Sequence, residues 1–77
     1  MDKQLTKRFG GGLKNLRKSR KLTQEVLAEN CSLTPSYISI LERNLKTPSL
    51  STISALAAGL NMRPSEFIRE IEEFRAS

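Results

Sequence analysis

Apolar residues in this chain recur every three or four positions, and helix-start and helix-stop signals cut the pattern into short pieces. No stretch alternates apolar and polar residues with β-branched enrichment, so strands are not expected. The reading is all-α. A compact single domain over residues 1–77 should hold five helices, at about 6–20, 24–31, 35–43, 50–59 and 64–75.

In the first helix Phe9, Leu13 and Leu16 share one face. Gly10, Gly11 and Gly12 interrupt it, each at a cost of up to ~1 kcal/mol against Ala in a helix interior. Three readings fit: a linker before a helix that starts near Leu13, a weak first turn held by packing, or close approach of another helix. Thr23 announces the second helix as its N-cap, and Glu25 follows where an acid suits the helix dipole. Val26, Leu27 and Cys31 supply its buried side. Thr34 and Pro35 make the clearest start signal, because a proline at the first helical position forfeits no hydrogen bond. Ile38 and Leu41 point inward from the third helix, and Asn44 suits a left-handed cap behind it. Leu50, Ile53, Leu56, Ala57 and Leu60 stripe the fourth helix. Asn61 suits the next left-handed position, and Met62 tucks into the core. Phe67, Ile68, Ile71 and Phe74 stripe the fifth, opposite Glu66, Arg69, Glu70, Glu72 and Glu73.

The residue inventory excludes most chemistry. There is no His, which removes the commonest general base and transition-metal ligand. The single Cys31 excludes an internal disulfide framework and a Cys-rich zinc site. Gly10 to Gly12 lack the strand, Lys and Ser/Thr of a phosphate-binding loop. The chain is therefore not read as an enzyme, and no metal, cofactor or small-molecule ligand is expected. No apolar run approaches the roughly 18 residues that span a bilayer, and Met1 to Phe9 are too polar for a secretory signal. The expectation is a cytoplasmic binding module with no membrane partner.

Charge divides the chain. Residues 1–46 carry ten Lys/Arg and four acids, a balance of +6; residues 47–77 carry three and four, a balance of −1. The basic part suits a polyanion, foremost nucleic acid. The plainer reading is a solvated charged surface.

Cys31-Ser32-Leu33-Thr34 is a tight connection between two short helices, the arrangement in which the second helix enters the major groove. The fuller string runs Leu22-Thr23-Gln24-Glu25, Leu27-Ala28, Thr34, Tyr37-Ile38-Ser39, Leu41-Glu42-Arg43 and Thr47-Pro48-Ser49-Leu50. It resembles the helix-turn-helix family of phage repressors and Cro proteins, the XRE family, over about Phe9 to Phe67. Within that family, the short chain and the Tyr37-Ile38-Ser39 and Glu42-Arg43-Asn44 strings resemble the controller proteins of restriction–modification systems. The resemblance implies a lambda-repressor-like domain and a sequence-specific regulator of transcription that binds double-stranded DNA.

It also implies roles. Pro35, Ser36, Tyr37, Ser39 and Ile40 take the base-contacting positions. Gln24 takes that of a phosphate contact that also braces the recognition helix. Arg43, Asn44 and Lys46 take the segment that approaches the backbone, and the cap residues Thr23 and Thr34 sit where phosphate comes near. Arg17 and Glu42 take the positions of a scaffold ion pair. Physical chemistry agrees in part. The first turn of a groove-bound helix lies nearest the base edges, and its free N–H groups favour phosphate. Ser36 both donates and accepts, so it discriminates weakly, while Ile40 suits a thymine methyl group. Tyr37 can bond a phosphate or merely cover the helix surface. Ile40 can equally belong to a core or dimer contact, and Lys14, Lys18, Arg20 and Lys21 to solvent.

Two departures from the family pattern carry expectations. Relatives commonly have Gly at the positions of Lys21 and Ser32. A non-Gly residue at positive φ is uncommon, so those turns are expected to take another geometry and change the tilt of the third helix. Pro35 stands where relatives place a long polar base reader. It donates no hydrogen bond, so specificity is expected to lean on DNA shape and on bases near Tyr37.

The fifth helix has more apolar residues than one narrow stripe needs, and such a surplus marks an interface. The expectation is a two-fold homodimer through Met62, Arg63, Phe67, Ile68, Ile71 and Phe74, reading a palindromic operator whose half-sites lie roughly 34 Å apart. The competing class is an antitoxin-like protein-interaction module that also binds DNA. The use of nearly the whole chain by the five helices argues against a separate toxin-binding tail.

Overall fold

A computed structural model describes residues 3–75, and side chains from Leu5 onward. Five helices follow one another: α1 (Lys3–Ser19), α2 (Gln24–Cys31), α3 (Pro35–Glu42), α4 (Leu50–Gly59) and α5 (Pro64–Glu73). Among the described residues there is no strand, and no helix is long and apolar enough to cross a membrane. The boundaries of α2 and α4 match the spacing-based expectation. The first helix begins three residues earlier than expected, and Arg43 and Phe74 fall outside α3 and α5 as their C-caps.

The core forms where α1 packs on α3 and α5, α2 on α3 and α4, and α4 on α5. Phe9, Leu13, Leu27, Ile38, Leu41, Leu56, Phe67 and Ile71 are its largest fully buried side chains. Phe9 meets Phe67 edge to face, with ring centroids 6.0 Å apart. Two residues assigned inward by spacing are not there: Val26 is 42% exposed and Leu50 85% exposed. Each lies in the first turn of its helix, beyond the layer its neighbours cover.

The glycines lie within α1, which settles the three readings in favour of close approach. A Cβ on Gly10 would strike the Glu42 carbonyl oxygen, one on Gly11 would lie 2.8 Å from the Phe74 ring, and one on Gly12 would lie 2.8 Å from Ile71 Cδ1. The helix gives up propensity and gains contact with α3 and α5.

Four helices end alike. Lys21, Ser32, Asn44 and Asn61 all sit at φ 57°, in the left-handed region. In each case the next residue sends its N–H back five positions: Leu22 to Arg17 O, Leu33 to Ala28 O, Leu45 to Ile40 O and Met62 to Ala57 O. This is the Schellman closure. Asn44 and Asn61 take the caps expected of them. The expectation of a different geometry at Lys21 and Ser32 is corrected: both keep the turn that glycine would make. The left-handed conformation costs about 1–2 kcal/mol in a non-Gly residue. The recovered hydrogen bonds, and the docking of Leu22 and Leu33 against the core, offset that cost.

Candidate nucleic-acid interface

Two threonine caps fix where α2 and α3 begin. Thr23 Oγ1 accepts from Val26 N at 3.0 Å, and Thr34 Oγ1 accepts from Tyr37 N at 3.1 Å. Pro35 then occupies the first position of α3. A hydroxyl that accepts one bond still has a proton to donate, so both threonines remain chemically fit to meet a phosphate oxygen.

The inner side of α3 is fixed by burial and by one carboxylate. Ile38 and Leu41 are fully buried. Glu42 Oε2 accepts from Arg17 Nε at 2.7 Å, and Oε1 accepts from Arg17 Nη2 at 3.1 Å and Gln24 Nε2 at 3.0 Å. Arg17 Nη1 also donates to Leu22 O at 2.8 Å. The Glu42 hydrogen bond raises the Arg17 pKa and outweighs the opposing effect of burial. Arg17 thus stays charged and is wholly engaged inside the protein. Gln24 braces α3 with its amide nitrogen.

The outer side of α3 presents Pro35, Ser36, Ser39, Ile40 and Arg43, residues at one-turn spacing. Together with Gln24 they line an open concavity of about 310 Å³. Pro35, Ser36 and Arg43 are exposed, while Ser39 and Ile40 are half-buried. Arg43 Nε rests on Ser39 O at 3.3 Å. Tyr37 lies apart from the concavity, half-buried and packed against the core. An eight-residue α3 is roughly 12 Å long, comparable with the width of the major groove.

Lys46 is exposed just beyond α3. Asn44 is used differently from the expected backbone contact. Its Oδ1 accepts from Gly10 N at 2.9 Å and its Nδ2 donates to Lys7 O at 3.1 Å, so the amide latches the exit of α3 to α1.

The residues expected at a copy-to-copy contact divide. Phe67 and Ile71 are fully buried in the chain's own core, because α1 covers that side of α5; this part of the expectation is corrected. Phe74 lies against Gly11, Met62 is half-buried and Arg63 is exposed. Only Ile68 of the six borders an apolar groove of about 590 Å³, which Leu5, Leu50, Ile53 and Pro64 also line. Sequence reasoning missed Leu5 and misplaced Leu50. The signal it lacked was that both stand in the first turn of a helix, beyond their stripe.

The sequence pattern of the family described as Helix-turn-helix matches residues 13–67. The immunity repressor protein of Bacillus phage phi105 is 44% identical over 61 residues, 79% of this chain and 42% of that protein. The control protein C.MunI of a Mycoplasma species is 37% identical over 67 residues, 86% of this chain and 90% of that one. Among solved structures, the restriction-modification controller protein C.AhdI from Aeromonas hydrophila superposes with a TM-score of 0.74 at 38% identity, covering 78% of this chain and 91% of that one.

Proposed function

This chain belongs to the helix-turn-helix family of transcriptional regulators and resembles restriction–modification controller proteins, and from that premise we propose that it acts as a two-fold homodimer on a palindromic duplex-DNA operator. The observation that carries the reading is the division of α3. Its inner side is held by Glu42, so its outer side, Pro35 to Arg43, is a fixed and exposed edge. The base-contacting set is Pro35, Ser36, Ser39 and Ile40, with Tyr37 on the flank. Gln24, Arg43 and Lys46, with the hydroxyls of Thr23 and Thr34, meet phosphates. The backbone of Asn44, rather than its side chain, faces that strand. The action is steric, by occupying or recruiting at a promoter, with no catalytic step. Restriction–modification genes are the target class, and the location is the cytoplasm, with the DNA.

The second copy docks on the groove of Leu5, Leu50, Pro64 and Ile68. A leucine 85% exposed at the start of a helix is an apolar surface awaiting cover. Apart from Leu5, the groove is lined by residues of the 47–77 segment, where charge is nearly balanced, which lets two cationic molecules approach.

A titration against DNA upstream of its own gene, repeated over a salt series, tests this. Specific binding should exceed nonspecific binding by about 10³-fold or more, with a steep salt slope. Equal affinity for all duplexes would remove the regulator reading.

A further inference from the structure

The base-facing set is poor in the groups that usually read sequence. Pro35 has no N–H and Ile40 no polar side-chain atom. Ser36 and Ser39 each donate and accept, so they tolerate either kind of base edge. Arg43 comes last on this face, past the C-terminal end of α3, with its Nε turned onto Ser39 O, and the Gln24 amide nitrogen is bound to Glu42. Of the features a base pair shows in the major groove, such a lining separates one sharply: the C5-methyl group.

We propose that the concavity between Pro35 and Ile40 reads a pyrimidine C5-methyl group, with Ile40 as the residue that sets the preference. The proposal rests on the DNA-binding reading above and deepens it. Ile40 is half-buried and lines the concavity beside Pro35, Ser36 and Ser39, so its branched apolar side chain is held on the helix and open to a methyl group on that side. The concavity, about 310 Å³, has room for the edge of one base. Thymine carries the methyl group by nature. Cytosine carries the same group at the same place when it is methylated at C5. The site therefore responds to cytosine C5 methylation as well as to sequence.

The full chain is first used to select binding sites from a random duplex library. The enriched duplex is then remade with uracil for thymine, one position at a time, which removes only the methyl group. At one thymine in each half-site the affinity should fall about fourfold, the effect of one buried methyl-sized group. Cytosine placed there should gain a similar factor on C5 methylation. Ile40→Ala should bind the thymine and uracil duplexes within twofold of each other. Uracil bound as tightly as thymine at every position would overturn the proposal and leave the regulator reading standing, as would a full thymine preference in Ile40→Ala. If that variant does not fold, the uracil series with the native chain decides alone. Failure to enrich any sequence, with all duplexes bound alike, would overturn the regulator reading itself and this proposal with it.

Discussion

Arg17 Nε lies 2.7 Å from Glu42 Oε2, and the same carboxylate takes the Gln24 amide at 3.0 Å. One side chain thereby ties α1, α2 and α3 together and holds α3 against the other two helices. The two side chains are only 9% and 3% exposed. Removing one partner leaves a buried charge without compensation, which costs about 3–5 kcal/mol. A domain this size holds only roughly 4–12 kcal/mol in all. Glu42→Ala should therefore lower the urea midpoint sharply. The double variant Arg17→Met with Glu42→Leu should recover most of the loss. Equal loss in both would show that burial of charge is not the cause.

Adjacent glycines should respond in opposite ways to Ala. At Gly10 a Cβ meets the Glu42 carbonyl oxygen, a backbone atom that cannot yield, and also the Asn44 side chain at 2.9 Å. Helix propensity would return about 1 kcal/mol, but α1 would be pushed off α3 and the latch lost, so Gly10→Ala should destabilise. At Gly11 the Cβ meets the ring of Phe74, a half-buried side chain beyond the end of α5 that can swing aside. Gly11→Ala should be neutral or stabilising in thermal melts. A like effect at both sites would contradict this geometry.

The left-handed caps give a second contrast. Ser32 is exposed and makes only backbone bonds there, so Ser32→Gly relieves left-handed strain and, after glycine's own entropy cost, should add about 0.5–1 kcal/mol. Asn44 has the same φ of 57°, but its amide also holds Gly10 and Lys7. Asn44→Gly should lose more through those bonds than the cap gains. Calorimetry should find the two substitutions opposite in sign.

These contrasts show where the sequence was readable. Helix starts were legible because caps are local chemistry: Thr23, Thr34 and Pro35 act on their own next turn. The turns at Lys21 and Ser32 were misread because their cost is repaid by a bond five residues back and by a leucine docking elsewhere. The glycines of α1 read as weakness until the partners, Glu42 and Phe74, were in place. Spacing gave the fifth helix its stripe correctly. It had no means to say that α1 covers Phe67 and Ile71, or that the apolar surface left over would be at Leu5 and Leu50.

Leu50 gives a clean test of the second copy. It is 85% exposed, so Leu50→Glu should change the stability of the single chain by no more than about 0.5 kcal/mol. In a dimer the same change would bury an unpaired charge on each side of a two-fold axis. Sedimentation should show association weakened on the order of 100-fold. Affinity for a palindrome should fall toward that of one half-site. A variant that associates as well as the native chain would place the contact elsewhere.

Arg43 separates phosphate contact from base reading. It is exposed at the end of α3, with its Nε bonded to Ser39 O. A guanidinium there suits a phosphate oxygen pair and carries no sequence information. Arg43→Ala should weaken binding to operator and to unrelated duplexes by the same factor. It should also reduce the slope of log affinity against log salt by about 0.9, the release of one counterion. A change confined to the operator, with the salt slope intact, would instead assign Arg43 to a base.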